Sequence, residues 1–244
     1  MKHTAYLLKT MVLMACVALP GCRKRIDPAA AETREMPEGR ACPASGMISD
    51  NENGANKSNV VDGRGGYWYS FLDEKGSSIT PTAGRLGGTF SMTGGGANGT
   101  KFAARFEGSL AQGEAGQVYA GAGVNFVDPK GQYDASKYGG ISFWAKHGPG
   151  STNKVRLKVP DVATDPDGKM CSACFNDFGI DLVLTPEWQQ YVVPFSAMKQ
   201  IKGWGSPHTS GIDKSKLYAV QFQVGDPGVK FDIWVDEIQF TGCQ

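Results

Sequence analysis

Apolar and polar residues alternate in short runs over most of the chain. From 217 to 224 the even-numbered positions are Tyr, Val, Phe and Val, whereas Gln221 and Gln223 occupy odd positions. The run 154–159 has the same alternation. Because successive side chains of a β-strand point to opposite faces, each run predicts a strand with one core face and one wet face.

About ten such runs lie between clusters of Gly, Pro, Asn and Asp, which are typical of turns. The predicted strands are 66–72, 89–92, 101–107, 118–127, 141–147, 154–159, 178–184, 188–194, 217–224 and 231–240. The one helix-like piece, 196–201, is too short to form a stable helix alone. Alternation in successive strands without helices between them predicts an all-β fold, an antiparallel sandwich or jelly roll.

The last predicted strand contains a slip in its pattern. Apolar residues occupy odd positions from Phe231 to Val235 and even positions at Ile238 and Phe240. An extra residue around Asp236-Glu237 would absorb the slip, so a β-bulge is predicted there.

Composition and charge narrow the function classes. The 244 residues include 33 Gly, and 25 Lys and Arg balance 24 Asp and Glu to a formal charge of +1. The chain lacks the basic stripe that phosphate neutralisation needs, so nucleic acid is not an expected partner. We expect a monomer.

The first residues have the pattern of an export signal. A basic start is followed by the apolar stretch Met11–Leu19, and small Gly21 directly precedes Cys22. We expect residues 1–21 to be a cleaved lipoprotein signal peptide and Cys22 to be lipidated, which would anchor the protein in the bacterial cell envelope, facing the periplasm or the exterior. Cys16 offers an earlier match of the same kind, and ordinary secretion is the alternative.

Residues 22–46 are charged, contain Ala and Pro, and have no apolar periodicity, which predicts a flexible tether. The predicted globular domain is then 47–244. In an oxidising compartment the remaining four thiols favour disulfides, and Cys42 and Cys243 bracket the folded region. We predict Cys42–Cys243 and Cys171–Cys174. A zinc site made by the four thiols is the alternative, although only one close pair is present.

Five segments together resemble galactose-binding-like jelly rolls, and most closely the family-eleven carbohydrate-binding modules and their lipoprotein relatives. These segments are Met47–Gly54, Gly63–Tyr69, Tyr138–Ala145, Trp188–Phe195 and Phe231–Ile238. The resemblance implies a jelly roll with a glycan site on one sheet and a structural Ca²⁺ near the chain ends. By position it implies that Asp50, Glu52 and Asp236 are the calcium ligands, since a hard cation takes several oxygen ligands. The alternative is that Asp50 and Glu52 are solvated turn residues.

A sugar site needs an aromatic platform surrounded by polar side chains. The predicted ligand-binding residues share a non-core parity or lie in the aromatic triplet 67–69: Trp68, Tyr69, Trp144, Arg156, Lys158, Gln221 and Gln223. Trp204 lies in a Gly- and Pro-rich loop, where we expect an anchor that folds onto the domain, and an exposed platform is the alternative.

No motif for catalysis is present: the sequence has no Gly-x-Ser-x-Gly, phosphate loop or His-Glu-x-x-His. We therefore predict non-catalytic binding of a polysaccharide and no catalytic residue. The alternatives are a structural or adhesive surface lipoprotein without a sugar site, and a jelly-roll lyase or glycoside hydrolase, whose carboxylate pair is set by spatial distance.

Overall fold

The computed structural model describes residues 42–83 and 90–243, which form twelve strands and five short 3₁₀ turns. The strands are β1 (Met47–Ser49), β2 (Trp68–Leu72), β3 (Ser78–Thr80), β4 (Thr93–Gly94), β5 (Phe102–Ser109), β6 (Ala120–Asn125), β7 (Gly140–His147), β8 (Lys154–Val159), β9 (Phe178–Val183), β10 (Gln189–Pro194), β11 (Ala219–Val224) and β12 (Lys230–Thr241). No helix in this part of the chain is long and apolar enough to cross a membrane.

The strands form two antiparallel sheets, which confirms the predicted all-β sandwich. The first sheet has the order β10-β7-β12-β5-β3, with β1 paired to β12 and β4 paired to β5. The second sheet has the order β2-β6-β11-β8-β9. Strands that are distant in sequence are therefore neighbours, and β12 lies at the centre of the first sheet.

The core lies between the sheets and is built from the apolar parity of each strand. Val220, Phe222 and Val224 of β11 belong to this core, and the ring of Phe222 lies 4.9 Å from that of Phe143 on β7 in an edge-to-face contact. The alternation read from the sequence thus places Gln221 and Gln223 on the outer face of the second sheet.

The predicted bulge in the last strand is confirmed. The pairing of β12 with β7 shifts between Asp236 and Gln239, and Glu237 has a φ of 46°. Before the bulge β12 pairs with β5, and after it β12 pairs with β1. The bulge therefore lets one strand keep its apolar side chains in the core while it changes partner.

The structure differs from the predicted strands in two ways. The predicted strand 89–92 is wrong for its described part, because Phe90 and Met92 are buried outside any strand and only Thr93–Gly94 pairs with β5. Strands β1 and β3 were not predicted. Each has only three residues, too few to show alternation.

The two ends of the fold are joined. Cys42 and Cys243 form a disulfide with their Cα atoms 5.5 Å apart, and Cys171 and Cys174 form a second disulfide, which is the pairing predicted from the sequence. The fold thus includes residues 42–46, which had been assigned to the tether, and Gly46 in this segment is buried. Cys22, Cys16 and the predicted signal peptide lie outside the described residues.

A polar cluster supports the loop before β2. The Tyr133 and Tyr138 hydroxyls donate to Asp62 Oδ2 at 2.7 and 2.8 Å, and Lys137 Nζ donates to Asp62 Oδ1 at 3.0 Å. Buried Arg64 lies against the rings of both Tyr133 and Phe240, which stack on each other. The Lys137 and Tyr133 hydrogen bonds hold the pKa of Asp62 well below its ordinary value. The Asp62 carboxylate is therefore charged in the folded protein, and its charge stabilises the fold.

Candidate functional site

A cleft of about 840 Å³ crosses the outer face of the second sheet. Outward side chains of β2, β6, β11 and β8 form its floor, and loops beside β9 form one wall. Because the inward parity of these strands is buried against the first sheet, the cleft-facing side chains are free of any packing role in the core.

Glycines on β6 give the floor its depth. Gly123 pairs with Tyr69 on one side and with Gln221 on the other, and Gln221 pairs in turn with Lys158. A Cβ on Gly123 would lie 2.9 Å from Gln221 Cγ and 3.0 Å from the Tyr69 hydroxyl. These two side chains therefore meet over the glycine, where Gln221 Nε2 donates to Tyr69 Oη at 2.7 Å.

Aromatic side chains line the β2 side of the cleft. We call Tyr67, Tyr69, Phe71 and Tyr119 the aromatic row. Successive ring centroids in this row are 6.5, 6.2 and 6.4 Å apart. Burial raises the pKa of Tyr69, so its hydroxyl stays protonated and can both donate and accept hydrogen bonds. The row provides a continuous apolar strip with one hydroxyl directed over the floor.

Charged side chains of β8 form ion pairs on the floor. Lys158 Nζ lies 2.9 Å from Asp177 Oδ2 and donates to Gln223 Oε1 at 3.1 Å. Arg156 donates to Asp181 at 3.0 Å and to the carbonyl of Lys199 at 2.7 Å. Each cation has a carboxylate partner, so this part of the floor is polar without a net charge.

The end of the cleft near Asn125 holds a third ion pair. Lys130 Nζ lies 2.7 Å from Asp165, and burial raises the pKa of Asp165 although its bond to Lys130 opposes the change. Asn125 Oδ1 and Asp177 Oδ1 are buried and accept no hydrogen bond from any described residue. Buried acceptors are normally satisfied, so these two atoms require a donor from water or a ligand.

The opposite side of the cleft is lined by residues 174–177, Ile201 and Trp204. We call the two loop segments that contain them, 169–177 and 201–208, the loop wall. Phe175 is 60% exposed and Trp204 is 46% exposed. Asn176 Nδ2 donates to the carbonyls of Ile201 and Trp204 at 2.8 and 2.6 Å, and Ile201 N donates back to Asn176 Oδ1 at 2.9 Å. The cleft therefore has aromatic residues on both sides of a polar floor.

Of the seven predicted ligand-binding residues, the structure brings five together in the cleft: Tyr69, Arg156, Lys158, Gln221 and Gln223. Trp68 is a correction, because its side chain is fully buried, stacks on Phe90 at 5.4 Å and donates to Ser49 Oγ at 3.0 Å. Trp144 is a second correction, because it lies on β7 of the first sheet, paired with Gln190 and Asp236 and away from the cleft.

Several cleft residues were missed by the sequence predictions. Trp204 was expected to be an anchor folded onto the domain, and instead it is exposed at the cleft. Phe71 was missed although it shares the parity of Tyr69, a signal that the alternation of β2 contained. Tyr119 was missed although it lies in the predicted strand 118–127, on the parity opposite to Val118 and Ala120. Phe175 lies in an irregular segment before β9, so no periodic signal could identify it.

The carboxylates that were predicted to bind calcium already accept hydrogen bonds from neighbouring residues. Asp236 is fully buried and accepts from Ala97 N, Thr100 Oγ1, Asn51 Nδ2 and its neighbour Glu237 N. Asp50 accepts from Asn59 Nδ2 and Glu52 N, and Glu52 accepts from Lys101 N and Phe102 N.

Such donors occupy the positions that a cation would take, and no group of three or more His, Cys, Asp or Glu in 42–83 and 90–243 could hold a metal ion. The residues as arranged do not fit a Ca²⁺ ion. The calcium site is therefore a prediction that rests on the sequence alone. A melting temperature lowered by chelator would favour it.

The chemistry of the cleft suits a sugar chain. Pyranose rings have apolar faces edged by hydroxyls, so they pack on aromatic rings and exchange hydrogen bonds with amides, carboxylates and guanidinium groups. The cleft offers these groups on a floor that is already ordered by internal bonds. Such preorganisation lowers the entropic cost of binding.

Comparison with known proteins agrees with this chemistry. Residues 91–242, more than half of the chain, match the family model described as Carbohydrate binding domain 30. The fold is similar to a family 11 carbohydrate-binding module from Clostridium thermocellum in complex with a β-1,3-1,4-mixed-linked tetrasaccharide, with 19% identity, a TM-score of 0.54, and 81% of this chain and 95% of that chain covered.

The family 11 module of a cellulosomal cellulase from the same organism has the same identity and TM-score and covers 81% of this chain and 94% of its own. At this identity the likeness shows a shared fold. No relative was found among curated proteins.

Proposed function

The chain belongs to the family of carbohydrate binding domain 30, and from that premise we propose that the cleft binds a segment of a neutral polysaccharide without cleaving it. The observation that carries this proposal is the aromatic row beside a polar, glycine-lowered floor on the outer face of the second sheet. Binding sites for sugars use this combination of apolar ring contact and directed hydrogen bonds.

The charge balance of the cleft supports a neutral ligand. Lys158 pairs with Asp177, and Arg156 pairs with Asp181. An acidic polysaccharide would have to compete with these carboxylates for the same cations, and its own charge would be repelled by them. A neutral sugar needs only hydroxyl contacts, and its donors could satisfy the buried oxygen of Asp177.

Affinity electrophoresis in native gels that contain a polysaccharide tests the proposal. A mixed-linked β-1,3-1,4-glucan is the first ligand to use, because the similar family 11 module binds a tetrasaccharide of that linkage. We expect the chain to be retarded by a neutral glucan and to migrate freely in a gel with a uronic acid polymer. Equal retardation by both would contradict the neutral ligand.

Variants locate the site. We expect Tyr69→Ala and Gln221→Ala to lose most of the retardation, because each removes one side of the hydrogen bond over Gly123 and Tyr69 also removes a ring. Trp144→Ala is the matched control, since Trp144 lies on the first sheet. Loss of binding in the Trp144 variant with intact binding in the Tyr69 variant would move the site to the other sheet.

The same samples separate the two alternative functions. New reducing ends or unsaturated uronate after incubation with polysaccharides would indicate an enzyme. Attachment to cells without retardation by any glycan would indicate an adhesive protein that lacks a sugar site.

We also propose that the protein is held in the cell envelope by a lipid on Cys22, supported by the apolar stretch and small residue before this cysteine. Partition of the expressed chain into a detergent phase tests the anchor. We expect Cys22→Ser to abolish it and Cys16→Ser, the control for the earlier cysteine, to leave it unchanged. The reverse result would move lipidation to Cys16.

A further inference from the structure

The loop wall exposes large apolar side chains in conformations that only a constrained loop would maintain. Phe175 is 60% exposed and has a φ of 73°, in the left-handed region that is unfavourable for a residue with a bulky side chain. Trp204, 46% exposed, also lines the cleft. Exposure of this kind at a cleft usually marks a contact surface.

Three devices fix the loop wall. The Cys171–Cys174 disulfide closes the segment directly before Phe175. The backbone of Ser206 exchanges hydrogen bonds with that closed segment, donating to the carbonyl of Ala173 at 3.0 Å and accepting from Ser172 N at 3.0 Å. The buried side chain of Asn176 then bonds the carbonyls of Ile201 and Trp204.

The disulfide has little to do with the stability of the sandwich. Its cysteines are three residues apart, whereas Cys42 and Cys243 are 201 apart, and a cross-link constrains the unfolded chain more as the loop lengthens. Cys174 lines the cleft, and Phe175 follows it directly. The position of the short disulfide therefore points to a role at the cleft.

We infer that the loop wall is a preorganised second contact surface for the polysaccharide, in which Phe175 and Trp204 touch the ligand and the Cys171–Cys174 disulfide and Asn176 act as positioning residues. This inference rests on the proposed function. It assigns one side of the cleft to loops whose own bonds brace them in addition to the Lys158–Asp177 ion pair with the sheet, and it makes ligand affinity depend on the oxidation of one pair of cysteines.

A double-mutant cycle on the full chain tests the coupling, with affinity for the mixed-linked glucan as the readout. The variants are Cys171→Ser with Cys174→Ser, Phe175→Ala with Trp204→Ala, and the combination of all four. We expect loss of the two rings to weaken binding about tenfold or more and loss of the disulfide to weaken it roughly fivefold. The combined variant should bind as the ring variant does, because the disulfide acts through the rings.

Phe175→Gly distinguishes a ligand contact from a structural role. Glycine adopts a φ of 73° without steric strain, and this gain offsets its larger loss of backbone entropy on folding. We therefore expect the melting temperature of this variant to be nearly unchanged while its affinity falls. A lowered melting temperature with unchanged affinity would show that Phe175 packs on the domain, and this would overturn the inference.

Cys42→Ser with Cys243→Ser is the matched disulfide control, and below its melting temperature it should keep the affinity of the wild type. The inference is overturned if removal of Cys171–Cys174 leaves affinity unchanged, or if the losses from rings and disulfide multiply. A wild-type chain that binds no glycan would overturn the proposed function and this inference with it.

Discussion

At the scale of single residues, adjacent aromatic side chains have opposite roles. Trp68 fills the core between the sheets, with its indole N–H bonded to Ser49, whereas Tyr69 lies in the cleft and bonds Gln221. The two face opposite ways because successive residues of a strand alternate. A strand with aromatics at both parities can therefore serve stability and binding at once.

The first prediction separates these roles. Trp68→Ala should lower the free energy of unfolding by about 3–5 kcal/mol, because it leaves a cavity in the core and removes the donor to Ser49. Tyr69→Ala should cost much less stability than Trp68→Ala, because Tyr69 is only partly buried on the cleft side of β2, and it should lower glycan affinity. Chemical denaturation and affinity electrophoresis measure the two effects, and a large stability loss at Tyr69 would contradict the assignment.

The second prediction concerns Asp62 and pH. Hydrogen bonds from Lys137, Tyr133 and Tyr138 hold its pKa in the folded state well below the ordinary value of 3.8. A depressed pKa means that the charged group stabilises the fold above pH 3.8 and that this contribution is lost as the pH falls below that value.

Asp62→Asn should therefore lower the melting temperature at neutral pH, and its difference from the wild type should shrink as the pH falls below 3.8. Asp128→Asn is the control, because Asp128 forms an exposed pair with Lys57 and such pairs contribute little to stability. Melting curves across the acid range measure both, and a difference that grows on acidification would refute the role of Asp62.

The sequence pattern divides each strand into two faces, but at the aromatic triplet 67–69 it does not show which face points to the core and which to solvent. Parity alone placed Gln221, Gln223, Arg156 and Lys158 correctly on one surface. It could not separate Trp68 from Tyr69, since both parities are aromatic there. Parity also could not show that Trp144 belongs to the other sheet, because strand order is decided by contacts between distant segments.

At the scale of elements, β6 is the strand that makes room for a ligand. Its outward positions in the middle of the sheet are Gly121 and Gly123, and its inward positions are buried Ala and Val. Glycine lowers the intrinsic stability of a strand, and hydrogen-bonded pairing with β2 on one side and β11 on the other stabilises β6. The cleft therefore depends on the absence of two side chains.

The third prediction follows from this strand. Gly123→Ala should lower glycan affinity, because the new methyl group would lie within 3.0 Å of Tyr69 and 2.9 Å of Gln221 and would push the two apart. Gly94→Ala is the matched control, since its nearest atom would be 4.0 Å away. Titration with the glucan measures both variants, and equal affinities would show that the floor tolerates the methyl group.

Strands of five or more residues were predictable from the sequence, and those of two or three residues were not. The run 154–159 coincides with β8, and the parity slip identified the bulge at Asp236. The three residues of β1 and of β3 contain too little pattern, and their pairing is decided by β12 and β5. The loop wall has no periodicity at all, because bonds between distant loops determine its shape.

At the scale of the whole molecule, one covalent link closes the sandwich. Cys42 and Cys243 lie 201 residues apart and were predicted as partners because they bracket the fold. The link removes freedom from nearly the entire unfolded chain, which is where a long-range disulfide has its largest effect. The cleft, by contrast, is built from the second sheet, which contains neither cysteine.

The fourth prediction is that Cys42→Ser with Cys243→Ser lowers the free energy of unfolding by about 2–5 kcal/mol. Removal of Cys171–Cys174 should cost less, because its loop spans only three residues. Urea unfolding of the two double variants against the wild type gives the comparison. A larger loss from the short disulfide would show that the loop wall is needed for folding.

The same link also determines how the domain would respond to mechanical load. Strand β1 has three residues, and alone it would peel from the sheet if the polypeptide before it were pulled. The bond from Cys42 to Cys243 instead passes the force to β12, which is hydrogen-bonded to β5, β7 and β1. With the proposed lipid anchor and a bound polysaccharide, a pulling force between the two would be distributed over the central strands of the first sheet. The domain would then stay folded under forces that would detach β1 in a chain without the disulfide.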